Sequence, residues 1–407
     1  MVGLDDPIVI IGAGMAGVSA AESLRSEGYD GALVLISAES ELPYDRPPLS
    51  KAYLLQGDRE AIRLKPASFF AEQRIDLRTG CRVIGVDTTA AKVGLSDGSW
   101  LRFSRLMLAT GASPRRLPLF EVARTPVHYL RSLADADAIR AALLPGARLA
   151  LIGGGVIGLE LAATARELGA DVVVIELGDR LMGRSASPPL ADFLLARHRA
   201  EGVDIRLGRQ VTRLPSHGTL ELDDGSNVAA DMIVVGAGAV PDLSLARSLG
   251  LAVGAGIVVD GRGRCSKPGF FAAGDVAEQR NPITGVSERI ETWANAQNQA
   301  IAVARTMLHG DSAAEYRDPP WYWTDQYDLK VQSMGKTQAS SYATRIASGG
   351  AGRVFFHLEG DRLVGGSTVN ANREMAMIRR LILAGRPLSP AALEDTSCDL
   401  KTLLATR

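Results

Sequence analysis

The sequence predicts an α/β protein built from two similar strand–turn–helix units and a third, α+β segment at its C-terminal end. Three observations support this prediction. Residues 8–39 read as a buried strand, a glycine-rich turn and a helix, and residues 148–177 repeat that order. From about residue 318 the pattern changes to strand-like alternation and then two short helices. A chain of 407 residues has room for two or three domains.

The first unit opens with an apolar run at residues 8–11, which is typical of a fully buried parallel strand. Gly12, Gly14 and Gly17 follow at GxGxxG spacing. In this motif the first glycine makes a tight turn, the second lets the backbone approach a pyrophosphate, and the third lets helix and strand pack closely. The helix is predicted to stop at Gly28. Its N-terminus suits a diphosphate, because free N–H groups and the positive dipole end lie there.

The second unit repeats this plan. Its glycines are Gly153, Gly155 and Gly158, and its helix is predicted to run through Leu168 and to stop at Gly169. A lone GxGxxG is a weak signal, since glycine-rich turns occur in many loops. Both motifs here lie between a predicted strand and a predicted helix. The sequence therefore predicts two dinucleotides, or one dinucleotide and a relic, and two ordinary tight turns are the simpler alternative.

A carboxylate is predicted to end the next strand of the second unit. That strand covers residues 172–175, and Glu176 follows it directly. An acidic side chain there accepts hydrogen bonds from an adenosine ribose and repels a 2′-phosphate, so NADH is favoured over NADPH. Arg180 and Arg184 lie close behind and would soften that preference.

Matching turn and strand signals follow each unit. Hairpin turns are predicted at Asp97-Gly98 and Asp224-Gly225, and buried strands at residues 106–109 and 232–242. A third apolar strand is predicted in FFAAGDVA, residues 270–277. Internal duplication of one plan explains the repeat.

Composition excludes several function classes. The formal net charge is −1 and the sequence pI is about 6.6, so no basic field is available to hold nucleic acid. No apolar run approaches the ~20 residues of a membrane span, and the N-terminus lacks a signal-peptide pattern. We therefore expect a soluble, cytoplasmic protein with no nucleic-acid or membrane partner.

The cysteines and histidines form no metal or redox pattern. The three cysteines, Cys81, Cys265 and Cys398, are far apart and are interpreted as core or surface residues. The five histidines are scattered and are assigned no metal or acid–base role; they are His128, His198, His217, His309 and His357. No metal site is predicted.

Further motifs connect the chain to a known family. They are PYDRPPLSK, ATGASPR, LRSLADA, GDVA, RIETWANAQNQ and WYWTDQY. With the two glycine motifs, they make the chain resemble the FAD-dependent ferredoxin reductases of oxygenase systems, within the glutathione-reductase-like superfamily. ATG and GD are marks of the whole superfamily, whereas RPPLSK and WYWTDQ together indicate the narrower family, which includes putidaredoxin, rubredoxin and biphenyl-dioxygenase reductases and is similar to the redox part of apoptosis-inducing factor.

The resemblance covers nearly the whole chain and implies a domain layout. It implies two Rossmann-like dinucleotide-binding domains and an α+β C-terminal interface domain. The FAD-binding domain is expected in two parts, 1–115 and 246–317, with an NAD-binding domain at 116–245 and the interface domain at 318–407. The first glycine cradle is then for FAD and the second for NADH.

The resemblance also implies catalytic residues. Lys51 matches the family lysine beside flavin N5, and Glu160 matches its partner glutamate; without the family match, both are ordinary solvated charges. Trp323 matches an aromatic residue near the isoalloxazine ring, although aromatic residues at alternating positions are usually core.

Other positions are expected to bind FAD. Asp275 matches the acid that holds the ribityl chain; the simpler alternative is a helix N-cap, and the two roles are compatible. The helix after it would direct its positive end at the flavin pyrimidine. Arg46 would reach the pyrophosphate, or it is a surface loop charge. Where relatives place an acid for the FAD ribose, this chain has Ala38, so Glu39 or backbone groups are expected to replace it. The remaining expected cofactor-binding residues are Ala16, Val83, Ala109, Thr110, Gly111, Arg131, Val156, Ile157, Gly236, Gly238, Gly274, Glu291, Trp293 and Ala294.

The implied reaction follows from these parts. Relatives that reduce disulfides or oxygen use cysteines, and none occurs around residue 42. The resemblance therefore implies that NADH reduces FAD by hydride transfer and that single electrons pass to a two-iron two-sulfur ferredoxin serving a Rieske dioxygenase or a haem monooxygenase. A flavin NADH oxidase and a non-catalytic NADH-sensing flavoprotein are the alternatives.

The ferredoxin is expected to be acidic. From residue 319 onward the chain has eleven Lys or Arg against eight Asp or Glu. Arg373, Arg379 and Arg380 are candidates for the docking face, and a solvated face is the simpler interpretation. Monomer and homodimer both stay open.

Overall fold

The computed structural model describes residues 6–282, 285–347 and 350–405. Up to residue 142 the elements are β1 (Ile8–Ile11), α1 (Met15–Ser26), β2 (Leu33–Ile36), α2 (Ala52–Gln56), α3 (Ala67–Glu72), β3 (Ile75–Arg78), β4 (Val83–Asp87), β5 (Lys92–Leu95), β6 (Trp100–Arg102), β7 (Arg105–Leu108), β8 (Ala112–Pro114), α4 (Pro118–Glu121), β9 (Val127–His128) and α5 (Leu133–Ala142).

Up to residue 288 the next elements are β10 (Arg148–Ile152), α6 (Val156–Glu167), β11 (Asp171–Glu176), α7 (Pro188–Ala200), β12 (Asp204–Leu207), β13 (Val211–Ser216), β14 (Thr219–Leu222), β15 (Asn227–Ala229), β16 (Met232–Val235), β17 (Ala239–Pro241), α8 (Ser244–Ser248), β18 (Ile257–Val259), β19 (Phe270–Ala272), β20 (Ala277–Arg280) and β21 (Ser287–Glu288). The last are α9 (Trp293–His309), β22 (Trp321–Gln326), β23 (Leu329–Gly335), β24 (Ser341–Ile346), β25 (Arg353–Glu359), β26 (Arg362–Val369), α10 (Asn372–Ala384), α11 (Pro390–Glu394) and α12 (Thr402–Ala405).

The chain forms two compact units, each assembled from separated segments. The first unit takes the described residues of Met1–Arg46, Arg59–Ser113 and Val240–Pro320, and the second those of Pro47–Asp58, Pro114–Ala239 and Trp321–Arg407. The four-domain division at residues 115, 245 and 317 stays a prediction.

The first unit is organised around a parallel sheet of strand order β19-β7-β1-β2-β3. Both faces of β1 are buried: Ile8 and Ile10 join one apolar cluster with residues of α1 and α9, and Val9 and Ile11 join another with residues of β5 and α8. This two-sided burial explains why the strand is a continuous apolar run. An antiparallel ribbon, β4-β5-β6, accompanies the sheet.

The second unit contains a parallel sheet of order β12-β11-β10-β16-β9 and a ribbon, β13-β14-β15, which repeat the plan of the first unit. It also contains an antiparallel C-terminal sheet of order β22-β23-β26-β25-β24. Met375, Ile378 and Leu381 of α10 are buried against that sheet. The predicted α/β class and the α+β character of the C-terminal segment are therefore confirmed.

Most predicted turns are present, and two predictions are wrong. Gly98 and Gly225 occupy left-handed backbone conformations at the predicted hairpins. The strand predicted for residues 232–242 is two strands: β16 ends at Val235, Gly238 has a left-handed backbone at φ +94°, and β17 begins at Ala239. No helix begins at Asp275, where one 3₁₀ turn leads directly into β20; the nearby helix is α9, capped by Thr292.

The C-terminal helices also differ from expectation. α10 has 13 residues and is amphipathic, and α11 and α12 follow it in the described part of the chain. Within residues 6–282, 285–347 and 350–405, no helix is long and apolar enough to cross a membrane.

His357 generates a prediction about pH. Its side chain is buried in β25, and its Nδ1 lies 2.7 Å from the Lys336 carbonyl oxygen. Burial lowers the pKa of His357 to about 4 from 6.5. The native state therefore binds this proton more weakly than the unfolded chain, so the stabilisation is present above about pH 6.5 and is lost as the pH falls towards 4.

Between pH 7 and pH 5 we expect the wild-type protein to lose about 2 kcal/mol of unfolding free energy that a His357→Leu variant does not lose. Urea unfolding of both proteins at the two pH values measures the difference. Equal losses in the two proteins would contradict the depressed pKa.

Candidate functional site

Backbone contact shapes the first glycine turn. Gly12 has φ +108°, and a Cβ at this position would lie 2.1 Å from the Ala109 carbonyl oxygen at the end of β7. A Cβ at Gly17 would lie 1.8 Å from the Gly12 carbonyl oxygen. The first and third glycines therefore allow turn, strand and helix to touch through backbone atoms, as predicted from their spacing.

The second glycine of the motif is different. No described atom lies within 4 Å of a Cβ built on Gly14, so the folded chain itself places no steric demand there. Gly14 is the N-cap of α1, and no described side chain caps this helix. The turn thus offers open space beside uncapped N–H donors, an arrangement that fits a diphosphate.

The second unit repeats this geometry. Gly153 has φ +107°, and its Cβ would lie 2.6 Å from the Gly236 carbonyl oxygen at the end of β16. A Cβ on Gly158 would lie 2.4 Å from the Gly153 carbonyl oxygen, whereas one on Gly155 meets no described atom within 4 Å. In both turns the first and third glycines allow close backbone contact and the second leaves open space, so both turns fit a dinucleotide.

The acidic side chain after β2 is that of Glu39, one residue beyond Ala38. The Glu39 carboxylate accepts hydrogen bonds from the Tyr44 hydroxyl and from Arg46, whose Nη2 lies 2.6 Å away. The Arg46 guanidinium also lies 5.2 Å from the Tyr44 ring centroid. Arg46 is therefore held in a local ion pair with Glu39, and its contact with a pyrophosphate stays a prediction.

The end of β19 lies beside the first turn. A Cβ on Gly274 would be 3.0 Å from Ala16 Cβ in the first turn of α1, which places Asp275 next to that turn. At the start of α9, Trp293 Nε1 donates to Asp45 at 2.7 Å. The structure thus brings Asp275 close to the first cradle, and it connects Trp293 to the loop that contains Arg46.

The strand β11 ends at Glu176, whose carboxylate accepts hydrogen bonds from two backbone N–H groups. Glu176 Oε2 accepts from the Gly154 N–H at 2.6 Å, and Oε1 accepts from the Gly178 N–H at 2.7 Å. The predicted ribose acid therefore lies at the second glycine turn. Arg184 lies nearby, since its Nη2 is 3.3 Å from the Cβ position of Gly238.

The helix α6 presents two kinds of residue. Ile157, in its first turn, is 46% exposed. Glu160, one turn later, is 4% exposed. A carboxylate is rarely buried to this degree without partners.

The partners of Glu160 come from the two other segments of the second unit, Pro47–Asp58 and Trp321–Arg407. Among the described residues, Ser50 donates to Oε2, and Thr324 Oγ1 and Lys51 Nζ lie 2.7 Å and 3.2 Å from Oε1. Burial raises the pKa of Glu160, and the Lys51 charge and the donors oppose that rise. Lys51 Nζ also lies 3.3 Å from Asp325 Oδ2. Ser50 and Thr324 are not among the predicted site residues, although they lie in the motifs RPPLSK and WYWTDQ.

Trp323 lies beside this charge pair. Its ring is stacked on Trp321 with centroids 5.5 Å apart, and Lys51 Nζ is 6.0 Å from its centroid. The side chain is partly exposed, whereas Thr324 and Gln326, on the opposite face of β22, are fully buried. Trp323 is therefore not a core residue, and the charge pair predicted for Lys51 and Glu160 is formed.

The remaining predicted residues fall in several places. Val83 is buried in the core of the first unit, and Glu291 forms an ion pair with Arg289 at 2.7 Å. Arg131 belongs to the second unit, where its N–H donates to Asp135 Oδ2 at 3.1 Å. Thr110 and Gly111 lie between β7 and β8, Val156 is the first residue of α6, and Ala294 is the second residue of α9.

The cysteines form no disulfide among the described residues. All three cysteines are free thiols, and burial raises the pKa of Cys265 to about 12. Cys81 and Cys265 pack against the core of the first unit, as predicted. Within the described ranges, no group of His, Cys, Asp and Glu side chains could hold a metal ion.

Known proteins match the chain over almost its whole length. A family model described as pyridine nucleotide-disulphide oxidoreductase matches residues 6–300, and one described as reductase C-terminal matches residues 321–404. The ferredoxin–NAD(+) reductase component of the 3-phenylpropionate/cinnamic acid dioxygenase of Photorhabdus laumondii is 41% identical, over 92% of this chain and 95% of that protein.

Two further comparisons agree. The ferredoxin–NAD(+) reductase component of the p-cumate 2,3-dioxygenase system of Pseudomonas putida is 40% identical, over 97% of each chain. A solved structure, the covalent putidaredoxin reductase–putidaredoxin complex, matches with a TM-score of 0.93 at 35% identity, over 99% of each chain.

The glycine geometry predicts a contrast between two substitutions. Gly153→Ala introduces a Cβ against a carbonyl oxygen at positive φ, so we expect it to lower the free energy of unfolding by more than about 2 kcal/mol. Gly155→Ala fills open space at an ordinary φ, so we expect a change below about 1 kcal/mol and a loss of NADH affinity of about tenfold or more. Urea unfolding and NADH titration measure the two effects; equal destabilisation, or unchanged affinity in Gly155→Ala, would contradict this assignment.

Proposed function

Because the chain belongs to the pyridine nucleotide-disulphide oxidoreductase family, among its ferredoxin–NAD(+) reductases, we propose that it is the NADH:ferredoxin oxidoreductase of an oxygenase system. The observation that carries the proposal is the buried Lys51–Glu160 pair. Its partners Thr324 and Asp325 lie in the segment that matches the reductase C-terminal model. The site thus depends on the part of the chain that characterises these reductases.

The cofactors are FAD and NADH. Gly12, Gly14 and Gly17 provide the proposed FAD cradle, with Asp275 beside it, and Gly153, Gly155 and Gly158 provide the proposed NADH cradle. FAD, when bound, supplies the redox chemistry: it accepts a hydride from NADH and releases single electrons to ferredoxin. The fit of both cradles rests on the open space at their middle glycines and on the uncapped helix N-termini.

The protein's own contribution is position and charge. The Lys51 ammonium is paired with the carboxylates of Glu160 and Asp325, and the Trp323 ring lies beside it. We assign this ammonium to the flavin N5 side, where a fixed positive charge stabilises the negative charge that reduction brings. Trp323 is assigned to the partner-facing side of the ring.

The electron acceptor is proposed to be an acidic two-iron two-sulfur ferredoxin that serves a Rieske dioxygenase, with a haem monooxygenase as the other outcome. The relatives from Photorhabdus and Pseudomonas are components of dioxygenase systems. Arg373, Arg379 and Arg380 are exposed on α10, where they would meet an acidic partner. The cytoplasm, as the source of NADH, is the compartment that this proposal requires.

NADH-driven reduction of cytochrome c by the purified flavoprotein, with and without an added two-iron ferredoxin, tests the function. We expect the ferredoxin to stimulate the rate by about tenfold or more, since electrons leave the flavin singly through the small carrier. Flavin bleaching by NADH with no stimulation by ferredoxins of both dioxygenase and monooxygenase systems would instead indicate an oxidase or a non-catalytic NADH sensor.

Glu176 generates a prediction about nucleotide choice. Its carboxylate carries the charge that repels a 2′-phosphate, so we expect Glu176→Gln to lower the NADH/NADPH ratio of kcat/KM by about tenfold or more. Asp171→Asn, at the opposite end of the same strand, is the matched control and leaves the ratio unchanged. A ratio that stays constant in Glu176→Gln would place the ribose acceptor elsewhere.

A further inference from the structure

A buried row of polar side chains continues from Glu160 through Thr324. Gln326 Nε2 lies 3.1 Å from Thr324 Oγ1, and Gln326 Oε1 lies 2.8 Å from His198 Nε2. The Tyr327 hydroxyl lies 2.9 Å from His198 Nδ1. Thr324, Gln326 and His198 are each 0% exposed. Polar groups buried this completely are expensive unless every member has a partner.

Two elements of the second unit build the row. Thr324 and Gln326 alternate on the buried face of β22, which is why residues two apart meet. His198 lies in α7, where it is buried near the C-terminal end of the helix. Glu160 lies in a third element, α6, so the row joins three elements that are distant in the sequence.

The direction of each hydrogen bond follows from chemistry. Lys51 is only a donor, so Glu160 Oε1 is an acceptor, and the single Thr324 hydroxyl proton goes to that same oxygen. Thr324 Oγ1 must then accept from Gln326, which turns the Gln326 amide nitrogen towards it. The Gln326 carbonyl oxygen is left facing His198, so His198 Nε2 must carry a proton.

The histidine closes the row. Burial lowers the pKa of His198, which favours the neutral ring, and a neutral ring protonated at Nε2 accepts at Nδ1. The Tyr327 hydroxyl therefore donates to Nδ1. Every bond in the row donates towards Glu160, and reversing one bond requires reversing all those before it.

We propose that His198 and Gln326 are positioning residues: through this one-way row of hydrogen bonds they commit the Thr324 hydroxyl to Glu160 and so hold the Lys51–Glu160 pair that the proposed function uses. Without the His198 donor, the Gln326 amide is free to turn over. Its carbonyl oxygen then competes with Glu160 for the Thr324 proton.

A second buried histidine provides an internal control. His357 is also 0% exposed and also belongs to the second unit. Its Nδ1 faces the Lys336 carbonyl oxygen, which can only accept, so Nδ1 carries the proton there. The two buried rings are therefore expected in opposite neutral tautomers, and His357 contacts no member of the row among the described residues.

Nitrogen-15 NMR of the FAD-loaded protein with labelled histidine tests the direction of the row. We expect His198 to be neutral with its proton on Nε2 and His357 to be neutral with its proton on Nδ1, the two signals being assigned from His198→Gln and His357→Leu. A His198 proton on Nδ1, or a doubly protonated His198 at neutral pH, would overturn the proposal.

A double-mutant cycle tests whether the row reaches Glu160. We expect the destabilising effects of His198→Leu and Glu160→Gln, measured by urea unfolding, to be smaller together than their sum, whereas His357→Leu and Glu160→Gln add. His198→Gln keeps an N–H at the donor position and is expected to restore most of the stability lost in His198→Leu. Additivity between His198 and Glu160 would reduce His198 to an ordinary packing residue and overturn the proposal.

The flavin midpoint potential separates this inference from the proposed function on which it rests. We expect a more positive potential in His198→Leu, since a less stabilised Glu160 anion leaves more net positive charge around Lys51, and a return towards wild type in His198→Gln. The expected tautomer and coupling with an unchanged potential would uphold the row and refute the placement of Lys51 beside the flavin. Additivity between His198 and Glu160 in a protein with full ferredoxin turnover would refute the row and leave the proposed function standing.

Discussion

Direct contact between backbone atoms at the two glycine turns is the constraint on which the rest of the structure depends. At each turn a carbonyl oxygen of the neighbouring strand occupies the space that a side chain would need. This contact fixes where α1 and α6 begin relative to their sheets. In the second unit it also fixes Glu160, because Glu160 lies in the same helix, five residues after Gly155.

Burial of the Glu160 carboxylate then organises the second unit. A buried carboxylate is destabilising unless donors and an opposite charge satisfy it. Ser50 and Lys51 come from Pro47–Asp58 and Thr324 comes from the C-terminal segment, so all three segments of the unit contribute to one ion pair. The same interaction therefore stabilises the association of these segments and provides the charge that the proposed reaction uses.

The sequence was sufficient for features that depend on local backbone geometry. The strand–glycine–helix units and the hairpins at Gly98 and Gly225 follow from spacing and from left-handed turns. The polar row beside Glu160 could be recognised only in the folded chain, because His198 and Thr324 are far apart in the sequence. The sequence alone also does not distinguish a buried histidine from an exposed one. Asp275 misled for a related reason: the acid after a buried strand predicts a helix cap, but the chain continues as β20.

The helix α6 connects the open position at Gly155, its N-cap, to the buried carboxylate of Glu160. Gly155 precedes this helix and Glu160 lies within it, so their separation is set by backbone hydrogen bonds and not by side chains. One inserted residue between them would rotate the carboxylate by about 100° around the helix axis and out of reach of Lys51. Homologous chains that use both features can therefore differ in composition along this helix, but changes in length have to fall in the loops that flank it.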